Sequence, residues 1–315
     1  MKEILLGVVC AALLVAVFAA LWNRRGGGEA EAALSPLEEA YMTEEDRFVT
    51  VGGVRVRVRE EGPRRAPVLL MMHGFTSSLE TWDSVAERLS EEYRVIRFDL
   101  LGHGLTGPDP QRRYSPAERA AFTGAVMDGL GIARATLVGN SLGGLAAWRF
   151  ASDNPERVSA LVLISPGAYS INGVTEKPAP IPPATAIFLR TAPEAGLRAV
   201  AAGIYADPSA VPAARMALMR DMMRREGNGE AFIHSLEEFT LPDPDPDLRR
   251  LEMPVLVLWG RSDRLIPPRQ GERMAKIIPD VRLVMLSGVG HAAQEESPAR
   301  VAKEIEDFLA ETETP

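Results

Sequence analysis

The chain of 315 residues contains a single cysteine, Cys10, which lies in an apolar run near the amino terminus. Disulfides, a cysteine nucleophile and a cysteine-bound zinc ion are therefore excluded from the rest of the chain. The sequence also lacks an excess of positive charge, because 35 lysines and arginines stand against 43 acidic residues and give a net charge of -8. Nucleic acid is accordingly not an expected partner. No internal repeat is visible.

Charge is absent from one long stretch, Ile4–Trp22, which consists mainly of Leu, Val and Ala. A helix of this length rises about 28 Å, close to the apolar thickness of about 30 Å of a bilayer. We therefore expect residues 1–25 to be a transmembrane anchor or a signal segment, and we favour a protein held at a membrane by this one helix. Cleavage near residues 30–32, followed by secretion or release into the periplasm, is the alternative. Basic residues flank both ends of the run, so the side of the membrane stays open.

Short apolar runs alternate with helical patterns through most of the remaining chain. An antiparallel hairpin with solvent-facing arginines is expected first, at residues 47–60. Continuous apolar strands that alternate with helices predict an α/β fold, with a mostly parallel sheet covered by helices on both faces. Functional residues of such sheets collect beyond the carboxyl ends of the strands. The expected buried strands lie at residues 67–72, 94–98, 135–138, 160–164, 254–259 and 281–286.

The alternation of strands and helices fails between residues 167 and 250. Prolines crowd the start of this segment, helical patterns follow, and a Pro-Asp run at residues 242–247 closes it. We expect a helical cap here, inserted into a core formed by residues 46–166 and 251–315. Residues 26–45 would then be the linker to the amino-terminal segment.

A serine lies in Leu137–Gly144, at the turn between a predicted strand and a predicted helix. The turn has the pattern G-x-S-x-G, with Gly139, Gly143 and Gly144 around Ser141. Small neighbours permit the sharp corner that lifts a serine hydroxyl above a sheet. The free N–H groups at the start of the following helix would then point at an oxyanion formed beside that hydroxyl. An ordinary glycine-rich turn is the alternative interpretation.

A serine nucleophile needs a general base at neutral pH, and histidine is the usual one. His291 follows the last predicted strand in a glycine-rich loop, which puts it at the same edge of the sheet as Ser141. Asp263 follows the preceding strand and is our candidate for the acceptor that orients this histidine. Asp99 has a similar position, but the glycines around His103 favour a turn in which Asp99 accepts backbone N–H groups.

In chain order, Ser141, Asp263 and His291 resemble the nucleophile, acid and base of the α/β-hydrolase family. The resemblance extends over residues 48–309 and is specific to the lidded members that use a serine. It implies a mostly parallel eight-stranded sheet with helices on both faces and a helical cap insertion.

The same resemblance implies an oxyanion hole made by the N–H groups of Phe75, in a His-Gly-Phe turn, and of Leu142. Relatives that attack with an aspartate are set aside because position 141 is a serine. Esterases, lipases, thioesterases and the carbon-carbon bond hydrolases of aromatic degradation stay open, because the sequence around the serine resembles several of them.

Four residues are further candidates for a substrate pocket. Met216, Met219 and Met223 share one helical face in the expected cap, and Trp82 follows the expected oxyanion turn. Methionines would give an adaptable apolar wall over the site. Packing between the cap helices is the competing interpretation of their spacing.

We expect a serine hydrolase that cleaves a small apolar or lipid-like carboxylic ester through an acyl-enzyme, as a carboxylesterase or lipase. The expected membrane anchor motivates the apolar substrate, no metal or organic cofactor is expected, and the oligomeric state is left open. One alternative is a carbon-carbon bond hydrolase of aromatic ring-fission products, which needs a cation near Ser141, with Arg190 or Arg198 as candidates. The other alternative is a non-catalytic binding protein on the same scaffold.

Overall fold

The computed structural model describes residues 34–312, and the chain divides after Tyr41 into two compact units. In the first unit the described part is helix α1 (Pro36–Tyr41) with the residues just before it. Ser35 and Glu38 form a capping box at the start of this helix. The N–H of Ser35 donates to the carboxylate of Glu38 at 2.7 Å, and the N–H of Glu38 donates to Oγ of Ser35 at 3.3 Å. The second unit, from Met42 onward, contains the sheet.

The predicted localisation at a membrane needs correction. Within residues 34–312, no helix combines the length and the apolar character that crossing a bilayer requires. The prediction of a membrane-anchored protein is therefore withdrawn. The stretch on which it rested, Ile4–Trp22, lies outside the described residues.

One eight-stranded sheet forms the centre of the second unit, in the order β1-β2-β4-β3-β5-β6-β7-β8. Its strands are β1 (Asp46–Val51), β2 (Val54–Glu61), β3 (Val68–Met72), β4 (Arg94–Phe98), β5 (Ala135–Asn140), β6 (Val158–Ile164), β7 (Val255–Gly260) and β8 (Val281–Leu286). The second strand runs antiparallel to both of its neighbours, and the other neighbours are parallel. The predicted hairpin and the mostly parallel eight-stranded sheet are confirmed.

Helices fill the connections between the strands. They are α2 (Asp83–Leu89), α3 (Pro116–Gly129), α4 (Leu142–Asp153), α5 (Pro183–Thr191), α6 (Glu194–Ile204), α7 (Ala213–Arg224), α8 (Asn228–Glu238), α9 (Asp245–Leu248), α10 (Arg269–Met274), α11 (Ala293–Glu296) and α12 (Pro298–Thr312). Helices α5 to α9 follow β6 and precede β7, in the segment where a helical cap was predicted. The division of the chain into core and cap domains stays a prediction.

Side chains of the buried strands alternate between two apolar clusters, because successive residues of a strand point to opposite faces of a sheet. On β3, Leu70 and Met72 join the cluster that contains residues of α3 and α4. Leu69 and Met71 join the cluster that contains residues of α2 and α12. Helices therefore cover both faces of the sheet, as the sequence predicted.

Two arginines of β2 are buried, against the expectation of a solvent-facing hairpin. Arg57 is 0% exposed, and its guanidinium lies 3.0 Å from Asp46 and 2.6 Å from Glu80. Arg59 pairs with Asp46 at 2.6 Å. Only Arg55 of the three alternating arginines is exposed. One face of β2 packs on the apolar cluster that contains residues of α3 and α4. Acidic side chains of β1, of the turn after β3 and of α2 pair with the arginines on the other face and make their burial tolerable.

Candidate active site

Ser141 lies between β5 and α4 with an unusual backbone conformation, φ 53° and ψ −113°, which residues other than glycine rarely adopt. The surrounding chain leaves no room for larger residues. A Cβ added at Gly139 would lie 2.6 Å from the carbonyl carbon of Gly143, and one added at Gly143 would lie 2.3 Å from the carbonyl oxygen of Met72. The glycines are therefore required for the turn, and Ser141 stays partly exposed at its apex.

The loops after β7 and β8 bring Asp263 and His291 together. Nδ1 of His291 lies 2.9 Å from Oδ2 of Asp263, and both residues are buried. The other carboxylate oxygen accepts the N–H groups of Leu265 and Ile266, each at 2.9 Å. Because an ionised carboxylate only accepts, Nδ1 carries the hydrogen and Nε2 presents a lone pair. Within residues 34–312, Nε2 has no hydrogen-bond partner.

Backbone contacts hold the loop that carries His291. The N–H of His291 donates to the carbonyl of Ile204 at 2.6 Å. The carboxylate of Glu296 accepts the N–H groups of Gly290 and Ala206, each at 2.8 Å, and burial raises its pKa. Since Ile204 and Ala206 belong to the segment between β6 and β7, that segment helps to position the histidine.

The turn after β3 lies against the serine turn. A Cβ added at Gly74 would lie 2.9 Å from Oδ1 of Asn140 and 3.2 Å from Cβ of Ser141. In the described part of the chain, the N–H groups of Phe75 and Leu142 donate to no protein acceptor. Both donors are thus available to a bound ligand.

Two cavities meet at Ser141. The first cavity, of about 440 Å³, is lined by Ser141 and His291 and by an ion pair between Arg215 and Glu295. The second cavity, of about 430 Å³, also includes Ser141, together with Arg119. Its other walls are mainly apolar, with Ile171, Val174, Ala179, Ile181, Phe239 and Ile266 among them.

Comparison with known proteins shows the family of the chain. The sequence profile described as alpha/beta hydrolase fold matches residues 67–298. The chain belongs to the α/β-hydrolase family. The predicted family is therefore confirmed, and with it the general class of hydrolytic enzymes.

Individual relatives of this α/β-hydrolase differ in what they act on. A 2-hydroxy-6-oxononadienedioate/2-hydroxy-6-oxononatrienedioate hydrolase of Pseudomonas sp is 31% identical over 251 residues, which cover 77% of this chain and 88% of the relative. The solved structure of the enol-lactonase from Burkholderia xenovorans LB400 is 26% identical, with a TM-score of 0.72 and coverage of 84% and 100%. A membrane phospholipase A described as a bacterial virulence factor is 23% identical, with a TM-score of 0.75 and full coverage of both chains, a likeness that shows the fold alone.

The ion pair in the first cavity of the hydrolase was not predicted. Two nitrogens of Arg215 lie 2.6 and 2.7 Å from the carboxylate of Glu295, and one of them also donates to Ser77 at 3.1 Å. The hydroxyl of Tyr205 donates to the same carboxylate at 2.6 Å. No local sequence pattern could reveal this pair, because its members are 80 positions apart.

The structure brings one of the four predicted pocket residues to Ser141. Met219 lines the first cavity, whereas Met216 lines a separate cavity between α6 and α7. Met223 is buried within the apolar cluster formed by helices α5 to α8. Trp82 is 0% exposed and packs in the apolar cluster that contains residues of α2 and α12. Met223 and Trp82 are therefore removed from the proposed pocket, because both fill the interior of the protein.

The arginines predicted to lie near the serine are also placed elsewhere. Arg190 pairs with Glu230 at 2.5 Å and Arg198 pairs with Glu194 at 3.1 Å, all on the exposed surface. Neither arginine lines the first or the second cavity. Among the described residues, the arginines that line a cavity together with Ser141 are instead Arg215 in the first cavity and Arg119 in the second.

Asp99 accepts backbone N–H groups, as the sequence predicted. Its two carboxylate oxygens take the N–H groups of Leu79 and Leu105, each at 2.8 Å. Arg57 lies 3.6 Å from one of these oxygens. Both oxygens are thus occupied within the protein, and Asp99 is a structural residue of the turn after β4.

Two further histidines are buried close to one another, with ring centroids 5.3 Å apart. Nδ1 of His73 donates to the carbonyl of Gly74 at 2.8 Å, and its Nε2 accepts the N–H of Leu100 at 3.0 Å. Burial lowers the pKa of His73 to about 4 and that of His103 well below its usual value. No group of three His, Cys, Asp or Glu side chains within residues 34–312, these histidines included, is arranged to hold a metal ion.

Proposed function

We propose that the protein is a serine hydrolase that cleaves an apolar carboxylic ester through an acyl-enzyme. The observation that carries the proposal is the contact of Asp263 with His291, which leaves Nε2 of the histidine without a protein partner in the described chain. Ser141 lines the same cavity as that histidine. A base held in this tautomer can take the serine proton as the hydroxyl attacks an acyl carbon.

The proposed reaction has two halves. In the first, Ser141 attacks, Asp263 stabilises the imidazolium of His291, and the N–H groups of Phe75 and Leu142 stabilise the oxyanion. The histidine then gives its proton to the leaving alcohol, and the acyl group stays on the serine. In the second half, His291 activates a water molecule that releases the acid. No hydrogen bond joins Ser141 and His291 in the free protein, and such contacts often tighten only when substrate binds.

The choice of an apolar ester is supported by the second cavity. Its mainly apolar walls favour a hydrocarbon chain. Because Ser141 lines both cavities, the acyl and the alcohol side of an ester would each have a separate cavity. The name of the 26% identical enol-lactonase supports the same bond type, because a lactone is a cyclic ester.

A carbon-carbon bond hydrolase is the second candidate. The relative that is 31% identical carries the name of a hydrolase acting on a dienedioate or trienedioate. The same serine and histidine would serve that reaction, and a cation near Ser141 would hold a substrate carboxylate. Arg119 and Arg215 replace Arg190 and Arg198 as the candidates for that cation.

The test is hydrolysis of a chain-length series of p-nitrophenyl esters by the wild type and by Ser141→Ala. We expect kcat to fall about a millionfold in the variant, because the nucleophile is lost. Ser84→Ala, on the exposed side of α2, is the matched control and should behave as the wild type. Ester hydrolysis that survives in Ser141→Ala would refute the proposal. Turnover of ring-fission products without ester hydrolysis by the wild type would favour the second candidate.

A further inference from the structure

Arg119, on α3, is buried without an acidic partner. Its Nε donates to the carbonyl of Tyr114 at 3.0 Å, and its Nη1 donates to the carbonyl of Leu101 at 3.1 Å. Its Nη2 donates to Oγ of Ser235 at 2.7 Å. All three acceptors are neutral, and within residues 34–312 no carboxylate forms an ion pair with this guanidinium.

Two other arginines with little exposed surface have a carboxylate beside them. Arg57 is paired with Asp46, and Arg215, in the first cavity, is paired with Glu295. Burial lowers the pKa of Arg119 to about 10, so the guanidinium is charged at neutral pH. A buried charge without a counterion is unfavourable, and a charged ligand can remove that penalty. The acidic groups whose fields reach Arg119, namely Asp109, Glu118 and Glu238, all have other hydrogen-bond partners.

Unused hydrogen-bond donors remain at this position. A guanidinium has five N–H groups, and the contacts above leave one further N–H on each of Nη1 and Nη2. The hydroxyl of Ser235 accepts from Arg119, and its own hydrogen has no acceptor in the described part of the chain. Arg119 and Ser235 both line the second cavity.

The second cavity connects these donors to the proposed nucleophile through apolar walls. A carboxylate matches the planar fork of a guanidinium, and an apolar chain matches the walls between it and Ser141. We propose that Arg119 and Ser235 form a carboxylate subsite, so that the preferred substrate is an ester whose apolar chain ends in a carboxylate, such as a monoester of a dicarboxylic acid. This inference rests on the proposed function and specifies its substrate class.

The test compares matched esters: p-nitrophenyl esters of straight-chain acids, and mono-p-nitrophenyl esters of dicarboxylic acids with the same number of carbons, from five to ten. For the wild type we expect kcat/KM to be about tenfold to a hundredfold higher for the acid-bearing ester at its best length, the effect of one charge-assisted contact. In Arg119→Met this ratio should fall to one or below, while hydrolysis of the neutral ester persists.

Control variants separate a subsite from a structural role. Arg198→Met removes an exposed arginine that lines neither cavity and should keep the wild-type ratio. Arg119→Lys retains the charge and should keep part of the preference. Ser235→Ala, which leaves the arginine in place, should lower the ratio less than Arg119→Met does. Should Arg119→Met fail to fold, the wild-type ratio and the Ser235→Ala ratio still decide the matter.

A wild-type ratio of one or below, or an unchanged ratio in Arg119→Met, would overturn the carboxylate subsite. Hydrolysis of the neutral esters would in that case still support the proposed function. Binding of a ligand to the subsite can be measured independently of catalysis. The free dicarboxylate of the best length should raise the melting temperature of the wild type and leave that of Arg119→Met unchanged. If the wild type hydrolysed none of the esters but the dicarboxylate still raised its melting temperature, the proposed function would be rejected and the subsite retained.

Discussion

His291 and the pair formed by His73 and His103 occupy the same end of the sheet and differ in what their Nδ1 atoms contact. Nδ1 of His291 faces the carboxylate of Asp263 at 2.9 Å. Nδ1 of His73 and of His103 each donate to a neighbouring backbone carbonyl, at 2.8 and 2.9 Å. A carboxylate stabilises an imidazolium, whereas a carbonyl in a buried site does so far less. Only His291 of these three has surroundings suited to accept a serine proton.

The second ring nitrogen separates His291 from His73, whereas Nε2 of His103, like that of His291, has no hydrogen-bond partner within the described residues. Nε2 of His73 accepts the N–H of Leu100, so protonation would break a buried hydrogen bond. Nε2 of His291 has no partner within the described residues, and its ring lines the first cavity with Ser141. Position at the carboxyl edge of the sheet is thus insufficient to make a base. His291 is distinguished by the carboxylate at its Nδ1 and by its place in the wall of the first cavity.

The largest effect on turnover in this comparison should come from replacing the carboxylate of Asp263, which contacts His291. In Asp263→Asn the amide would present an N–H toward Nδ1 and favour the wrong tautomer of His291. We expect kcat for p-nitrophenyl esters to fall about ten-thousandfold, with the fold retained as judged by circular dichroism. A variant within tenfold of the wild type would mean that Asp263 does not orient the base.

Asp99→Asn is the matched control for that experiment. Its carboxylate already accepts two backbone N–H groups, so the amide should leave one of them poorly satisfied. We expect the free energy of unfolding to fall by about 1 to 3 kcal/mol, with kcat per folded molecule near that of the wild type. A loss of turnover larger than that of Asp263→Asn would reverse the assignment of the acid.

A smaller effect concerns the stability of the folded protein and tests whether His73, unlike His291, is held neutral by burial. Its pKa lies near 4 in the folded protein, because of burial, against an ordinary value of 6.5. Between these values the unfolded chain binds more protons than the folded protein, so the contribution of His73 to stability is present above pH 6.5 and is lost as the pH falls toward 4. The loss should reach about 2 to 3 kcal/mol.

The measurement is urea unfolding of the wild type and of His73→Asn from pH 4 to pH 7. Carboxylates titrate in both proteins, so the difference between the two curves isolates the histidine. The wild type should lose more stability than His73→Asn as the pH falls. Parallel curves would show that His73 is not held neutral in the folded protein.

Much of the fold was predictable from sequence because its signals are local. The apolar runs of the strands, the glycines around Ser141 and the loop positions of Asp263 and His291 all follow from neighbouring residues. The turn at Asp99 was predictable for the same reason, since glycines surround it. The family's order of nucleophile, acid and base then linked residues that are distant in the chain.

The failures concern contacts between distant positions. The alternation on β2 could not reveal that Arg57 meets carboxylates of β1 and of the turn after β3. The spacing of the methionines in α7 could not tell which of them faces the cavity of Ser141, since Met219 does and Met223 packs among helices α5 to α8. That Arg119 has only neutral hydrogen-bond acceptors, and no ion pair with an acidic side chain of the described chain, becomes visible only when all of its neighbours are known.

Ser141 is the proposed nucleophile, and one labelling measurement tests that role directly. The wild type would be treated with a fluorophosphonate, digested and analysed by mass spectrometry, with Ser141→Ala and His291→Gln treated in parallel. We predict one adduct on the peptide that contains Ser141, none in Ser141→Ala, and labelling slowed by orders of magnitude in His291→Gln. An unlabelled wild type, or an adduct on another residue, would contradict the role of Ser141 as the nucleophile.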